Sequence, residues 1–473
     1  MMPRMGGSFL GMDTIVTKPL WVPELDPGFQ PAVLWNRAYR AGVQDGVPLV
    51  LALEGEQGRI SRYETVIRPE LDADTRRYTE RLVKFLLWSR GGWRLMIGGP
   101  PGLAQEIAAI YAPGGARAFD AGMMAKSYGR PFVIEPMAPD EVPAAREAGV
   151  AAGGHLDGCR IGFDLGASDY KVAAVKDGEV VYSDEFAWDP RVQTDPSYHY
   201  EHLNAGLRAA AAHLPRVDAI GGSSAGVIVN NRFMVASLLR NIDPARMEEA
   251  QGMFERLRGE WGVPLEVAND GDVTALAGAL SLEENGVLGI ALGSSEAAGY
   301  LNREGRMTGW LSELAFAPVD YNPDAPPDEW SGDHGVGALY FSQQAVNKLI
   351  PAAGIPVPAA MGLPERLRLV QFLMGQDDPR AAAIYRTIGI YLGYTVAHYA
   401  GFYDFGHLLI LGRVTTGKGG ALILSTAREV LAGEFPELAA RIHVQLPDEK
   451  SRRVGQACAA ASLPALHPVA ARS

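Results

Sequence analysis

The sequence predicts an α/β protein with mixed β-sheets. Short apolar or alternating segments, which are typical of strands, are interspersed with segments whose apolar residues recur at helical spacing. The order hairpin, helix, strand and small-residue turn occurs twice, starting near Leu49 and again near Arg160. Strands that alternate with helices in this way favour an α/β architecture over an all-α or all-β one.

Length, composition and charge narrow the class of protein. A chain of 473 residues with 47% apolar content can bury sizeable cores, and two or three domains are expected. The formal net charge is -12, and no run of Lys and Arg interrupts it, so we expect no nucleic-acid partner. Two cysteines, Cys159 and Cys458, form neither a disulfide framework nor a zinc site, which indicates a reducing compartment.

Two stretches of the sequence bear on the location of the protein in the cell. Residues 1–13 lack an apolar core of signal-peptide length. The most apolar long stretch, 388–412, contains His398, Asp404 and His407, so we interpret it as a buried helix followed by a buried strand. The sequence therefore predicts a soluble, cytoplasmic protein without a membrane partner.

The first third of the chain, residues 1–150, is expected to be an N-terminal α/β extension. Residues 1–45 show no clear pattern. The pattern then predicts three strands and two helices: strands Leu49–Leu53, Ile60–Ile67 and Trp93–Ile97, and helices Asp72–Ser89 and Leu103–Tyr111. The Gly98–Gly102 segment is a turn, because no Lys-Ser/Thr pair follows it as in a nucleotide-binding loop. Pro, Ala and Gly in 136–159 mark a boundary.

The repeated order of elements raises the hypothesis of an internal duplication. In that case Glu54 stands near the position of Asp164, and residues 1–150 are a degenerate copy of the unit that starts at 160. The alternative is that hairpin, helix and strand are simply a common sequence of elements.

The remainder of the chain continues the alternation of strands and helices. The predicted strands are the hairpin 160–176, Val217–Ile220, Leu265–Ala268, Val287–Leu292 with a hairpin to Leu301, and Leu408–Leu411. The predicted helices are His202–His213, Asp272–Leu280, Ser342–Ile350, Arg380–Tyr399 and Lys418–Ala432.

A small-residue turn with an acid at its mouth follows the first strand of this region. It reads Asp164-Leu165-Gly166-Ala167-Ser168. Glycine lets the backbone approach an anion, N–H and hydroxyl groups can donate to phosphate, and the carboxylate can hold water on Mg²⁺. The alternative is an ordinary hairpin turn with an aspartate.

Four further segments join this turn in order along the chain. They are Ser223-Ser224-Ala225-Gly226, Asn269-Asp270-Gly271-Asp272, Gly293-Ser294-Ser295-Glu296, and Leu411-Gly412-Arg413 with the Gly417–Gly420 turn. Each follows a predicted strand.

The five segments together resemble the actin-like ATPase (ribonuclease H-like) fold of the hexokinase superfamily, and more narrowly the ROK sugar kinases. The resemblance covers about 160–465. It implies two lobes, residues 160–285 with the first phosphate turn and the catalytic aspartate, and 286–473 with the second phosphate turn and the adenosine region. It also implies ATP and Mg²⁺ as cofactors, a sugar as the small-molecule substrate, and a homodimer.

The resemblance carries roles to individual residues. Asp270 is the expected general base, although Asn-Asp-Gly-Asp is also a typical helix-capping turn. The expected sugar-binding residues are Asn269, Glu313 and Asn241. The expected phosphate-binding residues are Asp164, Gly166, Ser168, Gly293, Ser294, Ser295 and Gly412, with Asp164 also holding Mg²⁺ through water.

The chain also departs from the ROK pattern. Phe316 stands where the family has histidine, in Ser312-Glu313-Leu314-Ala315-Phe316. In the family's zinc loop, Ser331 and Val336 replace thiolates and Ala338 replaces a glutamate, so we expect no structural zinc. The second phosphate turn is serine-rich, and Arg413 replaces a glycine of the late turn.

The sequence therefore predicts a Mg²⁺- and ATP-dependent carbohydrate kinase with an atypical substrate. A non-catalytic sugar- or nucleotide-binding sensor on the same fold is the main alternative, because fold does not fix function. A ROK-type repressor is a second alternative, but the extension has two strands before its first helix and no basic recognition helix.

Overall fold

The computed structural model describes residues 15–147, 149–151, 153–447 and 449–466. These residues form sheets of four, five and six strands and a two-stranded hairpin, with helices between the strands. The prediction of an α/β protein with mixed sheets is confirmed. The N-terminal residues 1–14, for which no signal peptide was predicted, lie outside the described residues, as does the end of the predicted second lobe, 467–473.

The N-terminal extension is built on the four-stranded sheet. Its elements are α1 (Ala32–Ala41), β1 (Val47–Glu54), β2 (Ile60–Ile67), α2 (Ala73–Arg90), β3 (Arg94–Gly98), α3 (Leu103–Tyr111), α4 (Ala118–Tyr128) and β4 (Val133–Met137). The strand order is β2-β1-β3-β4. β1 pairs antiparallel with β2 and β3, and β3 pairs parallel with β4. The predicted strands and helices are confirmed, whereas α1, α4 and β4 were not predicted.

The middle of the chain forms the five-stranded sheet. Its elements, after the short strand β5 (Val150–Ala151), are β6 (Cys159–Leu165), β7 (Asp169–Lys176), β8 (Glu179–Ala187), α5 (Pro196–Ala211), β9 (Ala219–Ser224), β10 (Val227–Val229), β11 (Arg232–Val235), α6 (Met247–Gln251), α7 (Met253–Trp261), β12 (Leu265–Asn269) and α8 (Asp270–Leu282). The strand order is β12-β9-β6-β7-β8, and β10 and β11 form the separate hairpin.

The last part of the chain forms the six-stranded sheet. Its elements are β13 (Val287–Leu292), β14 (Glu296–Leu301), β15 (Arg306–Met307), α9 (Gln343–Leu349), α10 (Leu363–Gly375), α11 (Pro379–Tyr399), β16 (His407–Leu411), α12 (Lys418–Glu434), α13 (Pro436–Ala439), β17 (His443–Gln445) and α14 (Glu449–Ala461). The order is β17-β16-β13-β14-β15-β5. Among the described residues, no helix is both long enough and apolar enough to span a membrane.

The five- and six-stranded sheets repeat one topology. In each, the first three strands form an antiparallel meander, and two later strands add in parallel to the outer side of the first. The extension differs, because β3 joins β1 antiparallel whereas β9 joins β6 parallel. The sheet topology therefore gives no support to the hypothesis that residues 1–150 copy the following unit. The domain boundaries themselves stay a prediction.

Two large hydrophobic cores divide the molecule. One joins residues of the extension, 29–128, to residues 288–444, and the other lies within 161–267. In the first core the Phe85 and Phe402 rings have centroids 4.1 Å apart, and Trp88 packs on Phe316 at 4.5 Å. The extension thus shares the core of the six-stranded unit. Phe316, which stands where the ROK pattern has histidine, packs against the extension.

A buried group of charged side chains joins the same two parts. Asp333 lies 3.0 Å from Arg81, 2.9 Å from Lys84 and 2.7 Å from Arg117, measured between nitrogen and carboxylate oxygen. Lys84 is fully buried and Asp333 is 5% exposed. Burial disfavours the carboxylate, but Arg81 and Lys84 hold the pKa of Asp333 below its usual value. We call these four residues the Asp333 cluster. Asp333 itself lies in the segment where the ROK pattern has its zinc loop.

Replacing Asp333 by asparagine tests the stabilising role of the Asp333 cluster. Asp333→Asn keeps the side-chain shape but removes one of the three buried carboxylates that neutralise Arg81, Lys84 and Arg117, the others being Glu80 and Asp120, so we expect a loss of about 3–5 kcal/mol in the free energy of unfolding. Denaturant unfolding followed by circular dichroism measures this loss.

The control is Glu106→Gln on α3. Glu106 pairs with Arg76 at 2.8 Å, but these side chains are 38% and 43% exposed, so we expect less than about 1 kcal/mol. Equal losses in the two variants would show that the Asp333 cluster has no special weight.

Candidate functional site

The candidate site is centred on the junction of β12 and α8. Asn269 caps the helix, because its Oδ1 accepts a hydrogen bond from the Gly271 N–H at 2.8 Å, and its Nδ2 donates to the Gly226 carbonyl at 2.8 Å. A Cβ at Gly271 would lie 2.0 Å from the Ala298 carbonyl oxygen, so only glycine lets α8 cross β14 this closely. The turn therefore caps the helix and fixes the carboxylates on either side of Gly271.

Asp270 stands among other carboxyl groups. Burial and the charge of Asp164 raise the pKa of Asp270 to about 6. Burial and the charge of Asp270 raise the pKa of Asp272 to about 7. Burial, Asp270 and Asp272 together raise the pKa of Glu313 to about 7. The four carboxyls thus form a chain in which Asp270 interacts with all the others.

A cavity of about 800 Å³ lies on one side of this chain. Asp164 of β6, Lys171 of β7, the first turns of α8 and the turn after β16 line it. The Ser223 hydroxyl donates to Asp164 Oδ1 at 2.6 Å. Burial raises the pKa of Asp164, while Ser223 and Lys171 oppose that rise. Gly412, Thr415 and Thr416 lie on the opposite wall. The structure therefore brings Asp164 and Gly412 to one cavity, as predicted.

A second cavity of about 430 Å³ lies on the other side. Asn269, Asp272 and Glu313 line it together with Trp310. The indole of Trp310 is stacked between the Tyr300 ring, at 5.3 Å, and the Arg90 guanidinium, at 3.2 Å from the ring centroid. The structure thus brings Asn269 and Glu313 together, and Trp310 contributes to the same cavity wall.

The two predicted phosphate turns are less open than the sequence suggests. The Gly166 N–H donates to the Asp169 carbonyl at 3.0 Å, and the Ser168 hydroxyl donates to the Asp169 carboxylate at 2.8 Å. The Gly293 N–H donates to the Ser295 carbonyl at 3.0 Å. Apart from Asp164, the predicted phosphate-binding residues of these two turns do not line the larger cavity; they are Gly166, Ser168, Gly293, Ser294 and Ser295.

Gly412 has a structural reason to be glycine. Its φ is +98°, and a Cβ would lie 2.5 Å from the Leu292 carbonyl oxygen. The chain therefore passes close to the end of β13 before it reaches Arg413, which is exposed and whose carbonyl accepts a hydrogen bond from Gln371. The turn after β13 and the turn after β16 thus meet at the carboxyl ends of these two strands.

The predicted sugar-binding residue Asn241 lies away from both cavities, as do His334 and Trp330. Asn241 is exposed, and its side chain donates to the Arg191 carbonyl at 2.7 Å, so the structure does not bring it to the sugar-binding candidates. His334 is exposed and bonds the Ala325 carbonyl. Trp330 is 62% exposed. Their surroundings are those of surface loops.

Sequence reasoning missed four residues of the smaller cavity. Asp272 had a signal, because it is the second acid of the Asn-Asp-Gly-Asp motif. Glu56, Arg59 and Tyr128 come from the extension, and they line the cavity only because the extension folds over it. Nothing in their local sequence indicates a site.

The larger cavity suits a phosphate-bound Mg²⁺ better than a cation held by protein alone. Within the described part of the chain, no group of three or more His, Cys, Asp or Glu side chains could hold a metal ion. Asp164 offers one carboxylate at the cavity wall, with one oxygen bonded to Ser223. Asp184 and Glu185 also line the cavity, and carboxylates at a cavity wall fit Mg²⁺ that keeps several waters and takes its other ligands from substrate phosphates.

The comparisons with known proteins concern the fold. No protein-family model and no curated protein matches the chain. Among solved structures, a ROK family transcriptional regulator, a homologue of the E. coli MLC protein, has a TM-score of 0.50 and 17% identity over 71% of this chain and 82% of its own. A ROK hexokinase from Thermus thermophilus has a TM-score of 0.49 and 19% identity over 64% and 97%. A ROK family glucokinase from Streptomyces griseus, in complex with glucose and AMPPNP, has a TM-score of 0.48 and 20% identity over 64% and 99%.

The likeness to the regulator, at a TM-score of 0.50, confirms the predicted fold. The chain has the mixed α/β, actin-like ATPase fold of ROK proteins, as the sequence motifs indicated. At these identities the likeness shows the fold alone. Because fold does not fix function, the function depends on the site.

Glu296, at the start of β14, is a buried carboxyl whose protonation can be tested through the pH dependence of stability. It is 3% exposed, and burial, with a smaller contribution from Glu313, raises its pKa to about 8 while the Tyr399 hydroxyl opposes the rise. Its native-state pKa lies above the ordinary 4.5, so the unfolded chain binds fewer protons at neutral pH. The stability from the protonated form is complete below the ordinary pKa and is lost as the pH rises through 8.

Glu296→Gln removes this ionisation. We expect the variant to gain stability relative to wild type by about 1.4 kcal/mol per pH unit between pH 5 and pH 8. Urea unfolding at four pH values measures the difference. Glu304→Gln, at an exposed turn, is the control and should keep a constant difference from wild type. A constant difference for Glu296→Gln as well would contradict the assignment of a protonated buried carboxyl.

Proposed function

We propose that the protein transfers the γ-phosphoryl group of Mg-ATP to a hydroxyl of a sugar. The observation that carries this proposal is that Asp270, which lines neither cavity itself, lies at the start of α8 between Asn269 of the smaller cavity and Thr274 of the larger one. Its charge couples to Asp164, which lines the larger cavity, and to Asp272 and Glu313, which line the smaller one. A carboxylate between a phosphate site and a hydroxyl site has the placement that a general base requires.

The nucleotide occupies the larger cavity in this proposal, and the sugar occupies the smaller one. Both volumes are in the range of small-molecule sites. Thr416 carries a hydroxyl at the wall of the larger cavity, where it can donate to phosphate, whereas the Thr415 hydroxyl donates to the Gly412 carbonyl at 2.9 Å. Asp164 would hold Mg²⁺ through water, and the bound ion would neutralise charge on the phosphate oxygens.

The reaction requires one proton transfer. Asp270 accepts the proton of the sugar hydroxyl while that oxygen forms a bond to the γ-phosphorus and the bond from phosphorus to the ADP oxygen breaks. Glu313 and Asp272 accept hydrogen bonds from other sugar hydroxyls and fix the ring. Trp310 contributes apolar surface to the wall of the same cavity.

A second candidate is a sensor that binds a sugar or nucleotide without turnover. The closed geometry of the phosphate turns favours it, because the Gly166 and Gly293 N–H groups already donate within the chain. The regulator among the structural neighbours has the same fold without being named an enzyme. A repressor role has less support, because the described part of the extension is an α/β layer whose sheet shares a core with residues 288–444.

Turnover across a sugar panel separates the two candidates. We expect ADP release from Mg-ATP with at least one hexose, amino sugar or N-acetylated sugar. Asp270→Asn should lower that rate by about 10²- to 10⁴-fold while sugar affinity stays within about three-fold, since asparagine cannot accept the proton but keeps the shape.

The matched control is Asp324→Asn, at an exposed turn that lines neither cavity. It should leave the rate unchanged. Silence across the panel with ATP still bound would support the sensor, and a gel-shift assay with DNA fragments would test the repressor.

The pH dependence of kcat/KM provides an independent prediction. Asp270 must be ionised to accept a proton, and its pKa is raised to about 6. We therefore expect kcat/KM to rise about ten-fold per pH unit below pH 6 and to level off near pH 7, as the coupled carboxyls ionise. A rate that stays flat from pH 4.5 to pH 8 would exclude Asp270 as the base.

A further inference from the structure

The extension forms the outer wall of the smaller cavity. Glu56 and Arg59 lie in the turn between β1 and β2, and Tyr128 ends α4. They face the β10–β11 turn across the cavity mouth, where Gln57 Nε2 donates to Asn230 Oδ1 at 3.5 Å. A site made from the five- and six-stranded units alone would lack this wall.

Arg59 is held in the wall by neutral groups. Its Nη1 donates to the Ser61 hydroxyl at 3.2 Å, and its Nη2 donates to the Arg90 carbonyl at 3.1 Å. The guanidinium lies over Gly55, where a Cβ would be 2.3 Å from Nη2. Among the ion pairs of the described residues none includes Arg59. Its charge is therefore fixed in place but not neutralised, which is the state of a guanidinium that binds an anion.

The two ends of the cavity differ in charge. Asp272 and Glu313 lie at the end next to Asp270, and the raised pKa of Glu313 reflects burial and those two aspartates. At the other end burial raises the pKa of Tyr128, and the charge of Arg59 opposes the rise. The cavity is thus acidic near Asp270 and carries a cation near the extension. Glu56 lies on the same turn as Arg59 and moderates that charge.

We propose that Arg59 is a specificity-determining residue, supplied by the extension, which binds an oxyanion group of the sugar in the smaller cavity. The oxyanion is a carboxylate or a phosphate, and the reacting hydroxyl lies at the Asp270 end. This inference rests on the proposed function only in taking the smaller cavity as the sugar site. The planar guanidinium can donate two parallel hydrogen bonds to either group.

The test is calorimetric binding to the full chain without nucleotide. The probes are hexoses paired with their C6-charged forms: D-glucose, D-mannose and D-galactose, each with its uronate and its 6-phosphate. We expect at least one charged sugar to bind about ten-fold or more tightly than its neutral partner, since a hydrogen bond to a charged group is worth that much. A uronate preference identifies the carboxylate, and a 6-phosphate preference identifies the phosphate.

Four variants assign the preference to Arg59. Arg59→Gln should reduce the ratio of charged to neutral affinities to about one, and Arg59→Lys should retain part of it. Glu56→Gln removes a repulsive charge and should increase the ratio. Arg76→Gln is the control, because Arg76 is 43% exposed and pairs with Glu106 on the extension's surface. The melting temperatures of the variants verify that each is folded.

Three results would overturn the inference: equal affinities within every pair, no binding by any probe at millimolar concentration, or an unchanged ratio in Arg59→Gln. Failure of the proposed function is a separate outcome. Charged sugars that bind through Arg59 without ADP release from Mg-ATP would refute the kinase proposal and leave the inference about Arg59 intact. ADP release with neutral sugars alone would support the kinase proposal and refute the inference about Arg59.

Discussion

The Asp333 cluster is the interaction on which the rest of the structure depends. Three cations of the extension converge on one carboxylate from the segment that resembles a zinc loop. Buried charges are tolerated only when each is paired, so this contact requires one relative position of the extension and the six-stranded unit. The wall of the smaller cavity follows from that position, because the turn that carries Arg59 belongs to the extension.

The fold was largely predictable from the sequence because hydrophobic periodicity is a local property. Strands such as β2 and β13 and the helix α3 have the predicted bounds. The missed elements include α1, whose buried Ala32, Trp35 and Tyr39 recur at helical spacing. Helix α1 follows a Pro- and Gly-rich stretch, and its burial depends on partners such as Tyr321, nearly 300 residues away. The relation between the extension and the remaining units was not predictable, since it rests on side-chain pairs that are distant in sequence.

The candidate site was predictable in part, for the same reason. Asp164, Asn269, Asp270 and Glu313 are in motifs at the ends of strands or in short turns, and the fold brings such ends together at one cleft. Their order along the chain was enough to predict a shared site. The hydrogen bonds that close the phosphate turns, and the cavity wall that the extension provides, depend on tertiary contacts that leave no mark in a motif.

The core shared by the extension and the six-stranded unit has a consequence for how the chain folds during synthesis. Residues 29–128 emerge from the ribosome first, yet their apolar partners at 288–444 follow only after the whole five-stranded unit. The intervening unit has a core of its own and can fold as an insertion. The apolar surface of residues 29–128 stays exposed during that time. Contacts of such long sequence separation slow folding and prolong the exposure of aggregation-prone apolar surface. We therefore expect the nascent chain to depend on chaperones until its last third is complete.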